Sequence, residues 1–104
     1  MAGTRRVTFA ESAIRDLEDV RDWYVSQDAP AVGDRLVARI VEEVERLVAF
    51  PESGRIVPEF DVPQLRELIY PPFRIVYRLD VDRVRIVRVW RSERLLDVPV
   101  DGNV

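Results

Sequence analysis

Alternating apolar and polar residues predict three consecutive β-strands in the second half of the chain. The predicted strands cover residues 66–70, 73–79 and 83–90. They are rich in Val, Ile, Tyr, Phe and Trp, which suit a pleated, half-buried surface. In the third strand the alternation slips, because Ile86 is followed directly by Val87. We therefore expect this strand to be central and buried on both faces, or to carry a β-bulge.

The first half of the chain predicts one short strand and two helices. Residues 6–10 alternate like a strand that pairs with the later sheet. Apolar residues then recur at three- and four-residue steps over residues 11–26 and again over residues 30–50, as in amphipathic helices. Asp28 is the expected N-cap of the second helix, and Pro51 disfavours a helical conformation in the residue before it. These elements predict a helical hairpin packed on one side of the sheet.

The remaining segments predict no further strands or long helices. Residues 51–65 contain three prolines and predict a connector, with Gly54 in a turn. The tail after residue 94 is expected to add half a turn of helix. The predicted fold class is α+β, in the order β-α-α-β-β-β, with an N-terminal strand, a helical hairpin and a three-stranded antiparallel sheet. Residues 1–104 are expected to form a single domain, because this length supports one core.

The composition excludes several kinds of chemistry. The chain has no cysteine and no histidine, so thiolate chemistry, an imidazole base and most zinc sites are excluded. We expect no cofactor and no metal. No apolar run approaches the roughly 20 residues of a membrane span, and the N-terminus lacks the apolar stretch of a signal peptide. A cytoplasmic protein without membrane contact is the expectation.

Charge is distributed unevenly along the chain. The net charge is −3, yet residues 66–94 contain eight arginines and only four acids. All basic residues are arginines, whose planar fork suits carboxylates and phosphates. This local excess of arginine predicts a guanidinium-bearing sheet face that binds a macromolecule. The acidic sequence pI, about 5.0, fits a protein target better than a dense array of phosphates.

Four local strings, in this order, resemble the RelE/ParE superfamily of toxins from bacterial type II toxin–antitoxin modules. They are "AIRDLEDVRDWY", "FPESGRIVPEF", "LRELIYPPFRIVYRL" and "VRIVRVWRSERLL". The resemblance covers residues 6–97 and is closer to ParE than to RelE. It implies the β-α-α-β-β-β fold and one of two activities. RelE-like members cleave mRNA in the ribosomal A site, whereas ParE-like members poison DNA gyrase.

The resemblance also indicates which catalytic groups of the ribonuclease branch are present. Arg74 and Arg94 fall on the positions of its catalytic arginines. Its lysine pair maps to Leu65 and Glu67, and its C-terminal aromatic residue maps to about Val100. The lysine pair and the C-terminal proton donor are therefore missing, which favours the ParE-like branch.

The expected function is that of a ParE-like toxin, associated with plasmid stabilisation, that inhibits growth by binding DNA gyrase without catalysis. A cognate ParD-like antitoxin is the expected partner, and operator DNA is contacted only through the antitoxin complex. The antitoxin segment is expected to wrap an apolar groove beside the helical hairpin and to present acids to the sheet arginines. One alternative is a RelE-like ribosome-dependent mRNA endonuclease that uses Arg74, Arg94 and Glu67. Another is a degenerate member that binds only its antitoxin or another protein.

The candidate site residues fall into two groups. The candidates for target binding are Arg66, Arg74, Arg78, Arg91 and Arg94, together with the rest of residues 91–96. The candidates for antitoxin binding are Trp23, Tyr24 and Trp90. For some of them the sequence also allows a structural role: Arg74 would pair with Glu67 across adjacent strands, and the aromatic residues would be core or interface anchors.

Overall fold

The computed structural model describes residues 6–91, and these residues form a five-stranded sheet with two helices packed on one face. In chain order the elements are β1 (Arg6–Phe9), α1 (Glu11–Ser26), α2 (Pro30–Glu45), β2 (Arg55–Ile56), β3 (Leu65–Tyr70), β4 (Phe73–Leu79) and β5 (Arg83–Arg91). The strand order across the sheet is β1-β5-β4-β3-β2. β1 pairs with β5 in parallel, and the other neighbouring strands are antiparallel. The predicted α+β fold is confirmed.

Alternation along β4 separates a helix-covered face of the sheet from an open face. Ile75 and Tyr77 are fully buried and belong to one core cluster with Ile40 and Leu47, which lie on α2 and the turn after it. Because successive side chains of a strand point to opposite sides, the residues between them point away from the helices. We call this second side the open face. The described residues that it carries on β3, β4 and β5 include Leu65, Glu67, Arg74, Val76, Arg78, Arg85 and Trp90.

The slip in the apolar pattern of the third predicted strand is a β-bulge in a central strand. Val76 pairs with Arg88 while Tyr77 pairs with Ile86, which leaves Val87 as the extra residue of β5. β5 also lies between β1 and β4, so it is a central strand, but the residues that it carries on the open face are only half-buried and the strand is not buried on both faces. A bulge places two residues of one strand opposite one of its partner. Val87 and Arg88 therefore both lie opposite Val76.

The first two turns of α1 continue the hydrogen bonding that β1 makes with β5. Pairing between β1 and β5 ends at Phe9, and the Ala10 amide then donates to the Ile86 carbonyl at 2.8 Å. The Ser12 hydroxyl donates to the Val87 carbonyl at 2.7 Å, and the Val89 amide donates to the Asp16 carboxylate at 2.8 Å. These contacts satisfy backbone groups of the strand that would otherwise lack partners in a partly buried region.

Three details of the predicted elements are wrong. Asp28 is not the N-cap of α2, since Ala29 takes that position without a side-chain cap and Asp28 adopts a left-handed conformation with φ of 59° in the turn before it. α2 ends at Glu45 rather than at Phe50, and a single 3-10 turn, Arg46–Val48, follows it. The connector contains the two-residue strand β2.

Neither α1 nor α2, each of 16 residues, is long and apolar enough to cross a membrane.

Candidate functional site: the open face of the sheet

A buried ion pair joins β3 and β4 on the open face. Glu67 lies opposite Val76 and Arg74 lies opposite Ile69, so Glu67 and Arg74 are diagonal neighbours. The Glu67 side chain is fully buried, and Arg74 is only 8% exposed. The Arg74 Nε donates to Glu67 Oε1 at 2.6 Å. The cross-strand contact considered from the sequence is therefore present, and it is buried.

Two further charged residues complete this group, which we call the Arg74 cluster: Arg55, Glu59, Glu67 and Arg74. Arg74 Nη1 and Nη2 each donate to one oxygen of Glu59 at 3.0 Å, a bidentate contact. The hydrogen bonds from Arg74 lower the pKa of Glu59 to about 2, and the same contact raises the pKa of Arg74. Arg55 Nε donates to the second oxygen of Glu67 at 2.6 Å. All three guanidinium nitrogens of Arg74 are thus engaged with carboxylates.

A buried tyrosine explains the turn in the "PESGR" string, residues 51–55. The Tyr77 hydroxyl accepts a hydrogen bond from the Gly54 amide at 2.9 Å and donates to the Pro51 carbonyl at 2.8 Å. A Cβ at Gly54 would lie 2.6 Å from both the Tyr77 hydroxyl and the Glu67 carbonyl oxygen, so a residue without a side chain is required. Burial raises the pKa of Tyr77. The glycine turn is anchored to the core, and its arginine, Arg55, belongs to the Arg74 cluster.

The other arginines predicted to bind the target have different surroundings. Arg66 donates to the backbone carbonyls of Pro63, Glu52 and Gly54 at 3.0–3.3 Å and thereby ties the connector to β3. Arg78 is exposed and pairs with Asp80 at 3.0 Å. Arg91 lies over the Phe73 ring, with 5.7 Å between the guanidinium carbon and the ring centroid. Arg94 and the tail that follows it lie outside the described residues.

The three candidate aromatic residues lie on two separate surfaces. Trp23 is 52% exposed near the end of α1 and packs edge-to-face on Tyr24, with ring centroids 4.7 Å apart. Tyr24 also packs on α2, because a Cβ at Gly33 would lie 3.0 Å from the Tyr24 Cβ. Trp90 lies on the open face under the guanidinium of Arg88, whose carbon is 4.7 Å from the ring centroid. The predicted antitoxin-binding set is therefore not one patch.

An apolar groove of about 380 Å³ crosses the open face. We call it the open-face groove; its lining residues are Val57, Glu59, Phe60, Leu65, Arg74, Val76, Val87, Arg88 and Trp90. The open-face groove lies on the opposite side of the sheet from the helical hairpin. The sequence instead predicts an apolar groove beside the hairpin. The arginines of the open-face groove are held by carboxylates from other elements: Glu59 for Arg74, and Asp16 of α1 for Arg88 at 2.8 Å.

Sequence reasoning missed Glu59, Phe60 and Asp16 as parts of this face. Val57 and Phe60 are apolar residues between prolines, which is the one local indication that the connector covers something. Asp16 looks like an ordinary surface residue of an amphipathic helix, so nothing local connects it with Arg88. Among residues 6–91, no group of three or more acids forms a candidate metal site. The open face offers apolar surface and guanidinium groups, which suit the binding of an acidic and apolar partner.

The comparisons with known proteins agree with this fold. Residues 7–96 match the sequence model of the family described as the ParE toxin of the type II toxin–antitoxin system, parDE. This chain belongs to the ParE toxin family. The toxin is 32% identical over 92 residues to the protein named "Putative toxin Y4kP" of Sinorhizobium fredii, and the match covers 86% of the toxin and 91% of that protein.

Solved structures of related complexes share the architecture of the toxin. A chain of the chromosomal ParDE system of P. aeruginosa superposes with a TM-score of 0.74 at 27% identity, over 86% of the toxin and 98% of that chain. A chain of the RelBE2 toxin–antitoxin complex of Mycobacterium tuberculosis gives a TM-score of 0.63 at 23% identity, over 85% of the toxin and 98% of that chain. The second likeness shows the fold alone. The ParE branch of the RelE/ParE superfamily is thus supported by both sequence and structure.

Proposed function

We propose that the toxin inhibits bacterial growth by binding DNA gyrase, without catalysis of its own, and that a cognate ParD-like antitoxin neutralises it in the cytoplasm. The observation that carries the proposal is the environment of Arg74. This residue holds the position of a catalytic arginine in the ribonuclease branch of the superfamily. Here it is buried, and its guanidinium nitrogens donate to Glu59 and Glu67.

The chemistry of RNA cleavage supports the same choice. Attack by a ribose 2′-hydroxyl needs a group that accepts its proton, a donor for the leaving oxygen and free cations for the phosphorane. Glu67 is a poor base for this purpose, because its side chain is fully buried and bonded to two guanidinium groups. The Tyr77 hydroxyl is engaged by two backbone groups in the core. Each of these residues has a structural role that accounts for its position.

The gyrase target and the antitoxin partner are drawn from the family and from its solved relatives. Membership of the ParE family supports gyrase as the target, and the likeness to a chain of a ParDE system supports a ParD-like partner. We propose that the exposed Arg78 and residues 91–96 contribute to the gyrase contact. Operator DNA would be bound only by the toxin–antitoxin complex, and the module would contribute to plasmid stabilisation.

A supercoiling assay tests the proposal. Purified toxin at micromolar concentration is expected to stop DNA supercoiling by gyrase or to trap cleaved DNA, and the product of the neighbouring reading frame is expected to restore activity. Arg78→Glu is expected to weaken the inhibition. Arg15→Glu, on an exposed position of α1, is the matched control and is expected to behave like the wild type. Gyrase that remains fully active in the presence of the toxin would overturn the proposal.

A further inference from the structure

We propose that the outer edge of the Arg74 guanidinium is a binding site for a terminal phosphate group, and that Glu59 occupies this site in the free toxin. Glu59 is then an internal blocking group, which keeps phosphate groups off this part of the open face. The inference goes beyond the proposed function, because it concerns the ligands that the face excludes and does not depend on gyrase or on an antitoxin.

The first observation is that the two edges of the Arg74 guanidinium contact different carboxylates. On the inner edge, Nε donates to Glu67, whose side chain is fully buried, at 2.6 Å. On the outer edge, Nη1 and Nη2 each donate to one oxygen of Glu59 at 3.0 Å. The Glu59 side chain is 56% exposed, so the outer edge lies at the surface of the protein. The planar fork of an arginine binds phosphate in the same bidentate way.

The second observation is the charge balance of the Arg74 cluster. The cluster contains two arginines, Arg55 and Arg74, and two glutamates, so it is neutral with Glu59 and carries one positive charge without it. The pKa of Glu59 is lowered to about 2, first by its hydrogen bonds with Arg74 and to a smaller extent by the charge of Arg55. Arg55 therefore lies close enough to attract an anion that replaces the Glu59 carboxylate.

The third observation is that the connector holds Glu59 in place. The amides of Phe60 and Asp61 both donate to the Val57 carbonyl, at 3.1 and 2.9 Å, and so close a turn around Glu59. Arg66 donates to the Pro63 carbonyl at 3.0 Å on the C-terminal side of this turn. A ligand on such a short tether acts at an effective concentration on the order of millimolar or higher. Glu59 should therefore compete well with phosphate in solution, and the wild-type toxin is expected to bind phosphate weakly.

The geometry favours phosphate over an external carboxylate as the ligand of the unblocked site. A carboxylate has two oxygens, and the contact with Arg74 uses both oxygens of Glu59. A terminal phosphate has three strong acceptor oxygens, so one of them remains for Arg55 while two accept from Arg74. The Arg55 side chain is 59% exposed and is accessible to such a ligand.

Titration of inorganic phosphate, followed by NMR, tests the inference. Glu59→Ala is expected to bind phosphate at least about tenfold more tightly than the wild type, and more tightly than it binds acetate. The largest shift changes are expected at the side-chain signals of Arg55 and Arg74. Glu18→Ala removes an exposed acid of α1 and changes the net charge equally, so it is the matched control and is expected to behave like the wild type.

A phosphate carried by a nucleic acid is distinguished from free phosphate with two short single-stranded oligonucleotides. They have the same sequence, and one of them carries a 5′-phosphate. Glu59→Ala is expected to bind the phosphorylated oligonucleotide more tightly than the other, because the phosphodiester groups lack the third terminal oxygen.

Two further variants keep the test decisive. Glu59→Gln preserves the size of the side chain and is expected to show a smaller gain in phosphate affinity, because the neutral amide binds Arg74 less strongly than a carboxylate does. Glu59→Ala combined with Glu67→Leu and Arg74→Met removes the guanidinium without leaving a buried charge. This combined variant is expected to bind phosphate no more tightly than the wild type. Circular dichroism checks that each variant is folded.

Several results would overturn the inference. Equal phosphate affinity of the wild type and of folded Glu59 variants would mean that Glu59 blocks no site. A gain that persists in the combined variant would place the phosphate elsewhere on the toxin. Equally tight binding of acetate and phosphate, or of the two oligonucleotides, by Glu59→Ala would mean that the site does not select a terminal phosphate. None of these measurements involves gyrase, so their failure is distinguishable from failure of the proposed function.

Discussion

The tyrosine at the centre of the sheet gives a sharp test of how the connector is held. Replacing Tyr77 by Phe removes a hydroxyl that bonds the Gly54 amide and the Pro51 carbonyl in the core. Each buried backbone group left without a partner costs about 1–3 kcal/mol. Partial access of water at Pro51 reduces the sum, so we expect a loss of roughly 2–4 kcal/mol in the free energy of unfolding.

Urea denaturation followed by circular dichroism measures this loss. In thermal unfolding, 1 kcal/mol lowers Tm by roughly 4–8 °C for a domain of this size, so the expected decrease is at least about 8 °C. Tyr70→Phe is the matched control. It removes a hydroxyl from a half-buried tyrosine whose ring keeps its contact with Arg39. If Tyr77→Phe were as stable as Tyr70→Phe, the tyrosine would not be the anchor of the connector.

Three further substitutions probe other contacts. Gly54→Ala should destabilise the toxin at least as much as Tyr77→Phe, as measured by urea denaturation, because the added Cβ would lie 2.6 Å from the Tyr77 hydroxyl. The pKa of Glu59 is lower in the folded state than in the unfolded state. Its contact with Arg74 therefore stabilises the fold above about pH 4.5, and this stabilisation is lost as the pH falls to about 2. Glu59→Gln should therefore flatten the fall in Tm over this range. Asp16→Ala should cost about 1–3 kcal/mol, because it leaves the Val89 amide unpaired, and it should speed amide exchange at Val89.

The main architecture could be predicted because local pattern and tertiary structure agree. Alternation along β4 specifies one apolar face of the strand. The three- and four-residue periodicity of α1 and α2 likewise specifies one apolar face of each helix, and these faces form the core. The slip at Ile86 and Val87 located the bulge, since an extra residue necessarily interrupts alternation.

The wrong or missing details depend on partners distant in sequence. β2 exists because Arg55 and Ile56 pair with β3, and a two-residue strand has no period of its own. Asp28 has a good capping side chain but takes a left-handed turn conformation, which prevents it from capping α2. Likewise, the contact from Asp16 to Arg88 spans 72 positions, so helix periodicity carries no information about it.

The number of arginines in the sheet region was also a poor guide to the charge available for binding. Arg74 is neutralised by two carboxylates, and Arg66 is used to hold backbone carbonyls. One of these carboxylates, Glu59, comes from the connector, whose path over the open face is set by tertiary packing. On the open face, Arg78 shares the carboxylate of Asp80 with Arg83, and Arg85 lies opposite Arg78.

We predict that toxicity does not require the guanidinium of Arg74, because its nitrogens are engaged by Glu59 and Glu67. Replacing a buried ion pair by apolar residues of similar volume is often neutral, whereas removing one partner costs about 3–5 kcal/mol. We therefore suggest the triple variant Glu59→Gln, Glu67→Leu and Arg74→Met, which leaves no buried charge in the cluster; the Arg55 side chain, 59% exposed, remains solvated.

The most direct measurement is growth inhibition by this triple variant, expressed in the host beside the wild-type toxin, with circular dichroism as the check of folding. We expect the variant to fold and to arrest growth with undiminished gyrase inhibition. A variant that is folded but harmless, beside a wild-type toxin that cleaves mRNA on programmed ribosomes, would contradict the account.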